Sequence, residues 1–150
     1  MCKLSRKSNR RHGFTLLEVM LVLAILVIIG SVATVAVVQM QRNANIQAAK
    51  AQVLGFETPL LSYQMNIGDF PSTSDGLQAL RTCPAGVANP TKWLGPYLNK
   101  EVPLDPWGNE YRYEYPGKYQ TDMPDIWSLG PDKMDNTEDD IGNWATTGKE

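Results

Sequence analysis

The chain has 150 residues, 43% hydrophobic and 20% charged, with 14 Lys+Arg, 16 Asp+Glu and a formal charge of −2, a length that suits one domain with an appendage. The charge is unevenly spread: Lys3, Arg6, Lys7, Arg10, Arg11 and the one histidine, His12, lie in the first 13 residues, and from Phe14 onward 9 basic residues face 16 acidic ones, net −7. No basic patch is left for a nucleic acid, and Cys2 and Cys83 without histidine partners exclude a closed zinc site or a disulfide framework. Cys83, between Thr82 and Pro84 in a polar stretch, reads as a free or half-buried thiol. It is left unpaired if processing removes Cys2.

Phe14 to Val38 runs 25 residues with one ionisable group, Glu18, and no proline. As a helix this stretch measures about 37 Å, enough to cross a bilayer core of about 30 Å, and it is predicted to be transmembrane. A secretory signal peptide has an apolar run of only about 7 to 15 residues and an A-x-A-like cleavage site, which is absent here. Five cations precede the stretch and only Arg42 and Lys50 follow closely, so the N-terminus is placed in the cytoplasm and the rest outside. A carboxylate within such a helix costs about 2.5 to 3.5 kcal/mol and needs a partner, a cavity or a proton. Cleavage between Gly13 and Phe14 would create an α-amine four residues before Glu18.

The basic leader, Gly13, and Phe14-Thr15-Leu16-Leu17-Glu18 opening a long apolar helix resemble the class III signal of type IV pilins and type II secretion pseudopilins. The resemblance implies that a membrane prepilin peptidase cuts after Gly13 and methylates Phe14. It also implies that Glu18 pairs with the N-terminal amine of a neighbouring subunit during filament assembly.

Val38, Ile46, Ala49, Val53, Phe56 and Leu60 continue at mostly three- to four-residue spacing, with Gln39, Gln41, Arg42, Asn43, Gln47 and Lys50 between them, the pattern of an amphipathic helix. Pro59 removes a backbone donor and is expected to kink or end that helix near Glu57 or Thr58. Gly30-Ser31 reads either as a small-residue helix contact or as a place where the helix loosens.

All ten prolines lie from Pro59 on and ten of the twelve glycines from Gly55 on, so short elements joined by turns follow. Ser74 to Leu80 is predicted as a short helix capped by Ser72, Thr73 or Ser74. Glu110 to Tyr115 alternates strictly, with Tyr111, Tyr113 and Tyr115 on one face, and reads as a half-buried strand. Pro116-Gly117 marks the turn, and the return strand falls at Tyr119–Thr121 or at Asp125–Leu129. Trp93, Trp107, Trp127 and Trp144 read as suppliers of a scarce core, or as an aromatic platform. From Asp132 to Asp140 five acids stand against Lys133, net −4 in nine residues. Such a cluster is a solvated loop or is bridged by a cation. Its flanks, Trp127 and Leu129 before and Ile141 and Trp144 after, look anchored in the core. The spacing does not fit an EF-hand.

YQMNIGDFPSTSDGLQAL, KWLGPYL, VPLDPWGNEYRYEYPGKY, DIWSLGPD and DDIGNW are similar, in order and spacing, to the major pseudopilins of type II secretion systems. The fold so implied is α+β and type IV pilin-like: a cleaved leader over 1–13, the transmembrane or filament-core half of a long helix over 14–38, and a periplasmic head over 39–150. A short antiparallel sheet and a calcium-type loop belong to that head. The resemblance implies structural calcium held by the carboxylates of Asp132, Asp139 and Asp140 and the carbonyls of Leu129 and Thr137. This loop departs from the family's glycine-rich pattern at Lys133, Met134, Asp135, Asn136 and Glu138, and Asp135 and Glu138 read as spare, solvated acids. The implied role is a subunit without catalytic residues, anchored in the bacterial inner membrane. It would then polymerise into a periplasmic pseudopilus that helps drive folded proteins across the outer membrane. Its partners would be copies of itself, the prepilin peptidase, minor pseudopilins and the inner-membrane assembly platform. A type IV or competence pilin is the alternative within the class. A membrane-anchored enzyme is disfavoured because the chain beyond residue 13 has no histidine and no G-x-S-x-G. ATP binding is not expected, since no G-x-x-x-x-G-K-[ST] occurs.

Overall fold

The computed structural model describes residues 14–144, and for residues 31–35 the backbone alone. Two helices come first, α1 (Leu16–Gly55) and α2 (Glu57–Ile67), followed by 3-10 turns at Gly76–Leu80 and Pro90–Lys92. Three short strands follow, β1 (Arg112–Glu114), β2 (Asp125–Ser128) and β3 (Ile141–Gly142). The chain divides into two compact units, with the boundary between Gln41 and Arg42.

In its described residues the first unit is helical from Leu16 on and bares apolar side chains: Leu16 is 81% exposed and Val27 72%. Among the described residues no helix is long and apolar enough to cross a membrane. The transmembrane span expected over 14–38 is therefore not among the described features.

In the second unit the helical stripe is buried from Ala49 onward, through Val53, Phe56 and Leu60, whereas Val38 is exposed. The break comes at Phe56, one residue earlier than Pro59 suggested, and the chain then resumes as α2 and runs on to Ile67. Pro59 lies in the first turn of α2, where helical N–H groups have no partner in any case, so it breaks α1 without preventing α2. Gly68, at φ +104, closes α2 by donating its N–H to the Gln64 carbonyl at 2.7 Å, a left-handed cap that glycine adopts without steric cost.

The core joins Val53, Phe56, Leu60 and Tyr63 of the helices to Leu77, Leu80, Tyr111, Tyr113 and Ile126. Phe56 meets Tyr111 edge to face at a centroid distance of 5.4 Å. Burial raises the Tyr111 phenol to about 12, with Asp105 adding to the effect. The four tryptophans are only half-buried, so they rim the core rather than fill it. Trp93 packs on its margin and donates its indole N–H to the Ala79 carbonyl at 3.2 Å.

The sheet has the order β1-β2-β3 and is antiparallel throughout, with Tyr113 opposite Ile126 and Ser128 opposite Ile141. Tyr111 and Tyr113 face the core and Arg112 and Glu114 face out, as the alternation requires. The return strand is the Asp125 alternative. Tyr119 and Gln120 are not a strand because their amides turn instead to the buried Asp125 carboxylate, at 2.7 and 3.2 Å. The expected helix over 74–80 is a 3-10 turn whose cap residue, Asp75, makes no side-chain cap bond. Ser72 serves the preceding turn, its hydroxyl accepting from the Asp75 amide at 3.2 Å.

Thr73 closes one end of the β1 edge: its Oγ1 accepts from the Tyr115 amide and donates to the Tyr115 carbonyl, both at 3.0 Å. Thr73→Val keeps the shape and removes both bonds, so it should lower stability by about 1 to 2 kcal/mol, read as a shift in the urea midpoint with an unchanged slope.

Candidate functional site

Two regions carry the expected functional residues, the start of α1 and the acidic loop between β2 and β3. At the first, Gly13 lies outside the described residues, and Phe14 is described and exposed. The Glu18 amide donates to the Thr15 hydroxyl at 3.3 Å and to the Thr15 carbonyl at 3.1 Å. Thr15 thus caps α1 with Glu18 three residues on, the spacing of a capping box. The sequence reading treated Glu18 as a lone anomaly and missed this local role, although T-x-x-E ahead of an apolar run is its signature. Within the described residues no cation stands at ion-pair distance from Glu18.

The loop is pinned at both ends. Gly130, at φ +68, lies against Asp139 so closely that a Cβ would overlap the Asp139 carbonyl. After the loop, Asn143 clamps β2: its amide donates to the Ile126 carbonyl at 3.0 Å, its Oδ1 accepts from the Ile126 amide at 3.0 Å, and its Nδ2 reaches the Pro124 carbonyl at 3.0 Å. Trp144 stacks on Tyr119 at 4.2 Å and leans on Trp127 at 6.0 Å. The flanks are anchored, as the apolar residues around the acids suggested, but through an aromatic stack beside the core.

Inside the loop, Asp132 Oδ1 accepts from the Met134 amide at 3.0 Å, and Lys133 and Asn136 take left-handed backbone, φ 61 and 63. Asp135, read from sequence as a spare acid, accepts the Trp127 indole N–H at 3.0 Å. The Thr137 amide donates to Asp140 Oδ2 at 3.2 Å, and the Thr137 carbonyl accepts the Asp140 amide at 3.3 Å. Asp140 Oδ1 is buried and has no hydrogen-bond partner. Burial raises the Asp140 carboxyl above the usual aspartate value, against lowering by the Thr137 and Asn136 amides, and Asp135 and Asp132 push it the same way as burial.

A cavity of about 20 Å³ lies here, lined by Glu114, Asp125, Asp135 and Asp140 among others, the size of one water or small ion. Neither Asp132 nor Asp139 lines it. Asp139 lines a separate groove of about 310 Å³ with Glu138 and Asp140, whose opposite wall is Arg42, Ile46 and Lys50 of α1. Among the described residues no three His, Cys, Asp or Glu side chains are gathered closely enough to hold a metal ion. The expected carboxylates Asp132, Asp139 and Asp140 share one loop but are not gathered as such a group, and Leu129 and Thr137, expected to offer carbonyls, lie on the same stretch of chain. In chemistry the donor set suits a hard cation, being all oxygen, and the orphaned Asp140 oxygen is what an absent positive partner would leave.

Residues 36–144 match the family model for the type II secretion system (T2SS), protein G, and residues 8–34 match the prokaryotic N-terminal methylation motif. The chain belongs to the type II secretion system protein G family. The type II secretion system core protein G of Pectobacterium carotovorum subsp. carotovorum is 38% identical over 90% of this chain and 85% of that relative. That of Pseudomonas aeruginosa is 37% identical over 91% and 96%. The crystal structure of the major pseudopilin from the type 2 secretion system of enterohaemorrhagic Escherichia coli matches with a TM-score of 0.63 and 34% identity, over 73% of this chain and 94% of that one. The protein G family thus accounts for the long helix followed by a small three-stranded antiparallel sheet, the pilin-like α+β fold. Its methylation-motif match spans Gly13, Phe14 and Glu18.

Proposed function

We propose that this chain is the structural subunit that polymerises into the pseudopilus of a type II secretion system. The observation that carries this reading is the family match over 36–144 joined to the methylation motif over 8–34. The bare apolar surface of α1 gives polymerisation its physical basis. Side chains such as Leu16 and Val27, more than 70% exposed, are stable in lipid or against copies of themselves. The precursor enters the inner membrane with its leader in the cytoplasm and its head in the periplasm. The prepilin peptidase cuts after Gly13 and methylates Phe14, and the new amine supplies the cation that Glu18 lacks. One amine per subunit sets the register between neighbouring helices. The filament then works with minor pseudopilins and the assembly platform, and the subunit performs no catalysis of its own.

Calcium belongs to this proposal as a structural group. Its holders would be the carboxylates of Asp132, Asp139 and Asp140, with the carbonyls of Leu129 and Thr137. It would supply positive charge to a loop of net −4. The partnerless Asp140 oxygen supports this reading.

Intact-mass measurement of the chain recovered from assembled filaments should show loss of residues 1–13 and gain of one methyl group on Phe14. A full-length or unmethylated N-terminus there would overturn the processing step.

A further inference from the structure

With the sheet ordered β1-β2-β3, β1 is an edge strand, and the direction its backbone faces follows from β2. The Ile126 amide donates to Asn143 Oδ1 and the Ile126 carbonyl accepts the Asn143 amide, both at 3.0 Å, so Ile126 spends both groups on the β3 side. Ile126 stands opposite Tyr113, and opposite residues of an antiparallel pair exchange either both bonds or none. The Tyr113 N–H and C=O therefore turn to the free edge, as those of Tyr115 do where they meet Thr73 Oγ1. Thr73 closes the edge at that end, and the bridge between Leu104 and Glu110 closes it at the other. Between them a groove of about 370 Å³ opens on Tyr113, with Leu77, Val102 and Leu104 among its walls. No group among the described residues takes up the Tyr113 main chain there. Such an unpaired edge is a template for another strand, and the gap admits about three extended residues, roughly 10 Å of chain.

We propose that the β1 edge takes an extended basic–apolar–acidic segment of a polypeptide other than this chain, bonded through its backbone to Tyr113. The order follows from β1. A residue opposite Tyr113 directs its side chain as Tyr113 does, to the side of Leu77 and Val102, where an apolar group fits. Its two neighbours lie on the outer face, opposite Arg112 and Glu114, both exposed. Among the described residues the ion pair is Arg81–Glu101, so neither Arg112 nor Glu114 has its counter-charge. An antiparallel segment passes Glu114 first and Arg112 last, and opposite charges facing each other across strands stabilise the pairing. This chain carries the same order twice, at Arg112–Glu114 and at Lys133–Asp135. A second β1 would have to run on past Thr73 and Leu104, which already hold the edge. Lys133–Asp135 is committed elsewhere, with Lys133 left-handed at φ 61, the Met134 amide bonded to Asp132 and Asp135 bonded to the Trp127 indole. The occupant is thus a different protein.

The experiment is a titration of the isotope-labelled full-length chain in detergent with the peptide acetyl-Lys-Val-Asp-amide, followed by amide proton–nitrogen NMR up to about 5 mM, the range in which so small a contact binds. The Tyr113 amide should move downfield and saturate as it gains an acceptor, and its exchange with deuterium should slow. The same peptide with an N-methylated valine has lost the donor for the Tyr113 carbonyl and should bind about tenfold more weakly. Arg112→Gln and Glu114→Gln, both changes at exposed side chains, should each weaken binding about two- to fivefold, the range of one exposed ion pair. A Tyr113 amide that does not respond overturns the inference. So does equal binding of the N-methylated peptide, which assigns the contact to side chains alone, or unchanged affinity in both Gln variants, which removes the charge order from the site.

Discussion

Asp105→Ala is expected to be the most destabilising single substitution in the head, costing about 3 to 5 kcal/mol and lowering the melting temperature by roughly 15 to 30 °C for a domain of this size. Asp105 is 4% exposed and its carboxylate is a hub. Oδ1 accepts from the Trp107 and Asn109 amides at 3.0 and 2.7 Å, and Oδ2 accepts from the Ser128 hydroxyl at 2.6 Å and from Asn109 Nδ2 at 3.4 Å. Alanine leaves two part-buried amides and one buried hydroxyl without their acceptor, and an orphan of this kind costs about 1 to 3 kcal/mol when fully buried. The damage should spread beyond the Asp105–Asn109 turn. Ser128 lies on β2, and its Oγ also accepts the Gly130 amide at 3.1 Å, so the carboxylate fixes the entrance to the acidic loop. Asp105→Asn retains one acceptor oxygen and should fall between the two, with a loss of about 1 to 2 kcal/mol. Thermal melts followed by circular dichroism compare the three chains. An alanine variant melting within a few degrees of the wild type would show that the hub is replaceable.

How much of this was legible in the sequence differs by element, for physical reasons. β1 was readable because Tyr111, Tyr113 and Tyr115 repeat at the strand period and one face is buried. The buried helix stripe from Ala49 to Leu60 was readable for the parallel reason, at the helical period. β3 was not readable: its two residues, Ile141 and Gly142, carry no period, and the strand exists because Asn143 clamps β2 from a distance in sequence. The break at Phe56 is the kink that Pro59 implies, and what the sequence left open between kink and end is settled by the proline falling in the first turn of α2, where it is tolerated. The loop shows the same limit. Its acids could be counted from sequence, but which carboxylate loses its solvent could not. Asp140 is distinguished from Asp132, Asp135, Glu138 and Asp139 by the packing around it, and Asp135 by Trp127, eight residues away along the chain and 3.0 Å away in space. The cap at Thr15 and Glu18 is legible in the sequence as T-x-x-E ahead of an apolar run.

The sharpest expected result at the loop is a reversal of sign. A carboxyl whose folded-state value is raised, as burial raises that of Asp140, binds its proton more tightly folded than unfolded. It therefore costs stability wherever it is ionised, and the cost is relieved as pH falls through the raised value. In chelator at neutral pH, Asp140→Asn should thus melt above the wild type. Its melting temperature should also rise less than the wild type's as pH is lowered toward the ordinary aspartate range. In calcium the order should invert. Wild type at a calcium concentration about a hundredfold above Kd gains about 2.7 kcal/mol, roughly 10 to 20 °C for a head of this size, while the amide variant, having exchanged an anionic oxygen for a neutral one, should gain little. Magnesium should not substitute, because it demands tight octahedral geometry and gives up water reluctantly. Melts of the full-length wild type and Asp140→Asn in chelator, calcium and magnesium give the six curves required. Wild-type curves that coincide in chelator and calcium would remove the metal from the loop, and the Asp140 oxygen would then stand as a buried cost for which the fold compensates elsewhere. A variant that keeps the full calcium response would leave the metal in place and move its ligands to the other acids.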